Sequence, residues 1–566
     1  MKCNNIILKT TNNTHLINLS NMRINKSFYL SGLLALALTS CKTAHQSYLQ
    51  DLSTLQPITN VDHLPARTSA LEEKDLQRWS HLDILRDTVP GMSVDRAYEE
   101  IIKDKVGKKV IVAVIDSGIE IDHPDLQPQM WNNPKEIAGN GIDDDKNGYV
   151  DDIHGWNFLG ATNEEQLEMA RIVKRGDDGS EDYKRAVKEL EEKRKELEPL
   201  QMQVKLMTNA HETLTKHFNK EVYTKEDLDT ITEESSEELQ KAKTMGRRLV
   251  ASGSNPADYL KDISKYVNGQ LEYNLNPNFE GRKTGDNIFD INDKYYGDND
   301  VMGDREHAKH GTHVAGIIAQ TRNNELGGDG VASNNVEIMS LRAVPDGDEY
   351  DKDIALSIRY AADNGAKVIN GSFGKYFAQN NEWVLDAIKY AAKKDVLIVV
   401  AAGNDAMDLN PESGEDIKRY PNDRIEGTDT EVADNFLVVG ALNPAFGERM
   451  VANFSNFGSK DVDVFAPGVK IYATTPNAKY EYLQGTSMAS PNAAGVAALI
   501  RSYYPDLTAP QVKQIMKDSG VAVNQEVIVS GDKDDKRNFK AISTSGKFVN
   551  LYNALIMADK VSKAKK

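Results

Sequence analysis

Short, unbroken runs of β-branched and apolar residues recur along this chain, alternating with stretches of helical spacing. Val110-Ile111-Val112-Ala113-Val114-Ile115 is the first, and similar runs lie at Val336–Val344, Lys367–Asn370, Val396–Ala402 and Phe436–Leu442. A run without polar alternation is how a strand buried on both faces of a sheet reads. Helical patterns over 353–364, 381–394 and 488–504 separate several of the runs. The alternation predicts an α/β fold in layers around a mostly parallel central sheet. From about 161 to 268 the pattern changes: strand runs vanish and charges crowd. Two columns at sevenfold spacing remain, Leu190, Leu197, Val204, His211, Phe218 and Leu200, Met207, Leu214, as in a long helix packed on a partner. Pro199 is expected to kink it. Thr224 followed by Asp227 marks a second helix start, with Leu228, Ile231 and Leu239 as its apolar stripe. The expectation is a helical hairpin inserted at 161–270; the alternative is a solvated, charged linker.

Composition narrows the class. With 566 residues, 40% hydrophobic and 27% charged, the chain suits a soluble globular protein rather than a polytopic membrane protein or a disordered one. Lys and Arg number 68 against 86 Asp and Glu, a net charge of −18, which argues against nucleic-acid binding through a basic face. The only cysteines are Cys3 and Cys41, so nothing after Cys41 can form a disulfide, a thiolate zinc site or a cysteine nucleophile. Residues 22–41 carry Arg23 and Lys26, then an apolar stretch from Leu30 to Leu38 that ends in Thr39-Ser40-Cys41. This resembles a bacterial lipoprotein signal, with Met22 a better start than Met1 and residues 1–21 a start-site artefact or an extension. The alternative is an ordinary secretory signal. The resemblance implies lipidation of Cys41 and attachment to a membrane of the cell envelope, facing the periplasm or the cell surface. Residues 41–75, polar and aperiodic, are expected to be a tether, and 559–566 a tail.

Polar residues stand at the ends of the apolar runs. Asp116 closes Val114-Ile115-Asp116-Ser117-Gly118, and Asn404 follows Val399-Val400-Ala401-Ala402-Gly403. His310 opens the small-residue helix His310-Gly311-Thr312-His313-Val314-Ala315-Gly316. Ser487 sits in Gly485-Thr486-Ser487-Met488-Ala489-Ser490-Pro491 at a predicted helix start. In open α/β sheets the carboxyl ends of the strands are where ligands bind, and a helix N-terminus favours negative charge. Each residue alone reads as a turn, a cap or a structural histidine. Together they supply a hydroxyl nucleophile, a base to take its proton, a carboxylate to orient that base and an amide for an oxyanion.

These four segments resemble the subtilisin-like serine proteases, the subtilases. The resemblance covers residues 76–160 and 271–558. It implies a serine endopeptidase acting on proteins or peptides, with Asp116 the orienting acid, His310 the general base, Ser487 the nucleophile and Asn404 the oxyanion donor. The order Asp, His, Ser is that of subtilisin. The interval from Asp116 to His310 is longer than in compact members because the insertion lies within it. The likeness further implies that Ser372, Phe373 and Gly374 pair with an extended substrate. Ala401, Ala402 and Gly403 would form one wall of the primary pocket, with room for a large apolar side chain; the opposite wall, within 415–435, does not align. No match to a folded pro-domain is found before residue 76, so folding without one is expected, or with a short segment clipped in trans. A monomer is expected. The contrasting function is a non-catalytic surface protein that keeps the scaffold and binds a partner.

A second motif runs from Asn140 to Asp152. Asp143, Asp145 and Asn147 alternate and Gly148 follows, like the start of an EF-hand calcium loop. The Tyr149 carbonyl and Asp151 or Asp152 are expected to complete a structural Ca2+ site, since His154 stands where the distal Glu belongs. Family likeness suggests a second calcium between Asp125 and Asn324. The run Asp298-Asn299-Asp300 reads as an exposed acidic loop, with a further metal site as the alternative.

Overall fold

The computed structural model describes residues 48–564, apart from 68, 252–254, 412–416, 426 and 429. The expectations for Cys41 and the leader lie outside these residues. Five apolar runs become strands β1 (Val110–Asp116), β3 (Val336–Arg342), β4 (Val368–Gly371), β5 (Leu397–Ala401) and β6 (Phe436–Leu442), and two strands that no run marked join them, β2 (Gly155–Asn157) and β7 (Val464–Pro467). A hairpin follows, β8 (Ile471–Thr475) and β9 (Lys479–Leu483), then the short β10 (Val521–Ala522). A ribbon of β11 (Glu526–Ile528) and β12 (Lys536–Asn538) precedes β13 (Lys547–Phe548). Nine strands form one sheet in the order β10-β13-β7-β6-β5-β4-β1-β3-β2. Its neighbours are parallel except β10 against β13.

The register sets the site. β1 pairs with β3 on one side, Asp116 opposite Arg342, and with β4 on the other, Ile115 opposite Gly371. Gly371 in turn faces Val400 of β5. The carboxyl ends of β1, β4 and β5 are therefore level. The chain winds outward in both directions from β1, so the crevice at that end is the switch point of the sheet. Helices Lys309–Ala319 and Thr486–Tyr503 pack on each other and on the sheet. The second carries Ala489, Ala493, Ala494, Ala497 and Ala498 and is buried nearly all round, as a helix threaded through a core must be. Helices Asp351–Asp363 and Asn381–Lys393 also flank the sheet.

The insertion is helical but larger than a hairpin. Helices Glu168–Arg175, Glu181–Phe218, Lys225–Asp229, Glu237–Ala251 and Pro256–Gly269 make it up. The 38-residue helix continues through Pro199. It starts at Ser180, whose hydroxyl accepts from the Tyr183 N–H at 3.0 Å, and stops at Asn219 in left-handed conformation. Thr224 and Asp227 form a capping box. Leu190, Leu197 and Val204 are buried, as are Met207 and Leu214 of the second column. One cluster, around Met169, Leu190, Leu197 and Leu275, also takes in Phe377 of the main body.

Both ends of the described chain differ from expectation. Residues 48–67 are docked rather than a free tether: Leu49, Leu52, Ile58 and Val61 are buried. The Ile58 N–H donates to Asn553 Oδ1 at 2.7 Å and Asn553 Nδ2 donates back to the Ile58 carbonyl at 2.9 Å. The last helix, Leu551–Ala564, runs on into the expected tail as far as Ala564, where Asp559 is buried and accepts the Leu52 N–H at 3.2 Å. Among the described residues no helix is long and apolar enough to cross a membrane.

Candidate active site

The strand ends and two helix starts bring the four polar residues to one edge. Asp116, at the end of β1, is 2% exposed, and its Oδ1 lies 2.7 Å from His310 Nδ1. A carboxylate accepts, so Nδ1 carries the proton and Nε2 keeps its lone pair. The Ser117 N–H also donates to Oδ1 at 2.8 Å, whereas Oδ2 is buried with no hydrogen-bond partner. Gly311 permits the approach, since a Cβ there would stand 2.2 Å from the Gly118 carbonyl oxygen. Burial pulls the His310 pKa down, but the charge and hydrogen bond of Asp116 outweigh it and hold the imidazole above its ordinary value. His313, one turn on, is a contrast: buried, it donates Nε2–H to the carbonyls of Ile471 and Glu481, and burial pulls it down to about 4.

Ser487 lies in the first turn of Thr486–Tyr503. Its hydroxyl donates to the Ser372 carbonyl at 3.1 Å, and the Ser372 hydroxyl donates to the Ser487 carbonyl at 2.8 Å. Pro491 explains the second bond. It has no N–H, so the Ser487 carbonyl lacks its helical donor, and Ser372 supplies one. Asn370 fixes Ser372 in turn, donating Nδ2–H to its hydroxyl at 2.9 Å and accepting from Ser490 at 2.7 Å. The structure does not bond the Ser487 hydroxyl to His310.

Asn404 follows β5 and is oriented by Thr486. Its Oδ1 accepts from the Thr486 N–H at 2.8 Å and from the Thr486 hydroxyl at 3.0 Å. That hydroxyl accepts the Gly403 N–H at 3.1 Å. Both acceptor contacts fix the carboxamide with its Nδ2 donor available to the cleft. Among the described residues no acceptor stands against the Ser487 N–H.

Two neighbouring cavities share Phe373 and Gly374. The larger, about 520 Å³, is lined by Asp116, His310, Ser372, Glu349 and Lys265 of the insertion. The smaller, about 310 Å³, lies beside Ser487 and Asn404. Ala401 and Gly403 line it as expected, but Ala402 is buried behind them. Tyr376, Asp405 and Arg419 also line it, so the cavity is not the apolar slot expected.

The acidic loop divides. One ligand atom each from Glu136, Asp143 and Asp145 lie within 4.8 Å of one another. Glu136 escaped sequence reading because it precedes the motif and follows no loop spacing. Asp151 and Asp152 serve elsewhere. Asp151 accepts the N–H groups of Asn140 and Gly141, at 3.2 and 2.8 Å. Asp152 accepts from Asn133 and Asn147, at 2.8 and 2.9 Å, and from the Tyr360 hydroxyl. Burial raises the Asp152 pKa. The Asn147 carboxamide is thus engaged, its Oδ1 accepting from the Tyr149 N–H at 2.7 Å. The Tyr149 ring packs edge-on against Trp156 and Tyr360. Asp125 and Asn324 do meet, but as a direct hydrogen bond of 2.6 Å with Tyr480 on the other carboxylate oxygen. Asp298 and Asp300 cap local turns.

Comparison with known proteins agrees with this architecture. A family model described as "Subtilase family" matches residues 107–541, and the chain belongs to that family. A thermophilic serine proteinase of Bacillus sp. strain AK1 is 36% identical over 43% of this chain and 55% of its own length. Thermitase of Thermoactinomyces vulgaris is 38% identical over 34% of this chain and 61% of its own. A cell wall-associated protease of Bacillus subtilis is 34% identical over 47% of this chain and 25% of its own. The matched part spans from a quarter to about three fifths of these relatives.

Proposed function

We propose that this chain is a serine endopeptidase that cleaves peptide bonds through an acyl-enzyme at Ser487. The observation that carries the proposal is the 2.7 Å Asp116–His310 contact on the same sheet edge as a serine at a helix start. In this reading a substrate strand pairs beside Ser372-Phe373-Gly374. Its carbonyl enters the cleft, and the Ser487 hydroxyl leaves the Ser372 carbonyl and turns toward His310. His310 Nε2 takes its proton as Oγ attacks. The oxyanion meets Asn404 Nδ2 and the Ser487 N–H, donors already oriented. His310 then returns the proton to the leaving amine, and water repeats the sequence on the acyl-enzyme. The test is reaction with a fluorophosphonate probe. Label on the parent chain and none on Ser487→Ala supports the assignment; an unlabelled parent overturns it.

The proposal extends to a structural calcium held by Glu136, Asp143 and Asp145. Carboxylate oxygens are the hard donors this ion takes, and Glu136 Oε2 is buried with no hydrogen-bond partner, an atom a cation would satisfy. It extends also to membrane attachment through a lipid on Cys41, checked by radiolabelled palmitate incorporation into the parent and not into Cys41→Ser.

One observation favours restricted access to the cleft. Lys265 of the insertion lines the cavity that holds His310, and Arg185 donates to the Tyr376 carbonyl at 2.8 Å beside the substrate strand. Removing 176–269 is expected to raise cleavage of casein more than cleavage of a short chromogenic peptide. An unchanged ratio rejects the gate.

A further inference from the structure

We propose that the cavity beside Ser487 is a subsite for an acidic side chain, with Arg419 supplying the charge that selects it. The inference rests on the endopeptidase reading and names the residue it prefers before the cleaved bond.

Arg419 is 6% exposed and lines this cavity. Its Nη1 donates to the Pro421 carbonyl at 3.0 Å and its Nη2 to the Phe373 carbonyl at 2.6 Å. A guanidinium has five N–H donors, so these two leave three, and Nε is buried with no partner at all. Among the described residues no carboxylate lies within ion-pair distance of it. Other buried arginines of this chain are arranged differently. Arg171 is paired with Glu168, and Arg501 with Asp395. Arg342 lacks a carboxylate but fills every donor, with Ser117, Asn157, Gly160, Thr162 and Asn163 as acceptors. Arg419 alone of these four has neither counter-ion nor a full set of acceptors.

A cation taken out of water without a partner is unfavourable, and here burial draws the Arg419 pKa down to about 10. A carboxylate entering the cavity would supply the missing charge and acceptors, in the planar geometry a guanidinium matches. Access is built in. Arg419 lines the cavity, and a Cβ at Gly374 would stand 2.6 Å from its Nη2, so only glycine fits there without pushing the guanidinium aside. The opposing charge is Asp405, which also lines the cavity. It is exposed and already accepts from the Tyr376 hydroxyl. Its field is screened by water, whereas that of a buried cation is not.

The experiment uses the full chain and quenched peptides that differ only at the residue before the cleaved bond: Glu, Asp, Ala, Phe or Lys. Glu is expected to give the highest kcat/KM, and Arg419→Met to lower the Glu-to-Ala ratio by about a hundredfold, with Arg419→Lys retaining part of it. The parent profile decides even where a variant does not fold. A preference for Phe or Ala overturns the subsite, and a preference for Lys assigns the cavity to Asp405 instead. In either case fluorophosphonate labelling of Ser487 leaves the endopeptidase reading standing. No label and no cleavage of any peptide removes both.

Discussion

Two donors of Thr486, its N–H and its hydroxyl, set which way the Asn404 carboxamide faces. The hydroxyl also accepts from Gly403, so Thr486→Val, nearly the same shape, leaves the amide held by the N–H alone and less firmly oriented. The expected result is a tenfold or greater fall in kcat, in the direction of Asn404→Ala, with KM little changed. Loss of an oxyanion donor costs about 10²–10³ in kcat, a range established in subtilisin itself. The pH profile tests His310. Its pKa is held above the ordinary 6.5 by Asp116, and the base works only when neutral. The rate should therefore rise with pH through a midpoint above 6.5. Asp116→Asn should shift that midpoint down and cut kcat by about 10⁴. A midpoint unmoved by Asp116→Asn would detach the histidine from the rise. Asp116, His310, Asn404 and Ser487 stood out in the sequence because their side chains carry the chemistry and their neighbours are distinctive. Thr486, Arg419 and Glu136 did not, because their roles lie in what they face across the fold. A threonine beside a serine carries no mark of the amide it orients, and an arginine in an unaligned stretch does not announce that it is buried.

At the scale of elements, the sevenfold columns located the long helix but not its neighbours. Leu190, Leu197 and Val204 are buried while His211 and Phe218, further along the same column, are half-buried. An α-helix drifts about 20° per heptad from a strict seven-residue repeat, so the column rotates outward and Met207 and Leu214 take its place. Five helices rather than a hairpin follow from this, since a rotating stripe needs different partners along its length. Leu214 is fully buried among Tyr223, Leu228 and Ala242. Leu214→Ala should cost about 2–5 kcal/mol locally, read as faster hydrogen exchange over 210–250, with fluorophosphonate labelling of Ser487 retained. Equal exchange in parent and variant would place the insertion's stability elsewhere. The strands β1, β3, β4, β5 and β6 were plain from their unbroken apolar runs, whereas β2 and β7 to β13 were not marked, and β2 and β13 show why. Those have three and two residues, too few for any periodicity to register.

For the molecule as a whole, two features beyond the sheet bear on stability. At the proposed Glu136, Asp143 and Asp145 site, calcium at a hundred times its Kd would add about 2.7 kcal/mol, so chelation should lower Tm and Glu136→Gln should abolish the response. A Tm indifferent to chelator in the parent would remove the cation from Glu136, Asp143 and Asp145. The docked segment 48–67 is the other. Ile58→Ala should lower stability by about 2–5 kcal/mol, measured by urea unfolding, and no loss would mean the segment adds nothing to the core. Its polar composition hid this, because the four buried side chains are too widely spaced to form a stripe. The paired bonds between Ser372 and Ser487 carry a consequence for how this chain can evolve. On the proposed reading, the segment that would hold a substrate and the turn that carries Ser487 are latched into one body, with Pro491 keeping the latch from being replaced by an ordinary helical bond. Sequence changes that loosen recognition will therefore also dull the blade, and new specificities must come from the pocket walls rather than from the latch.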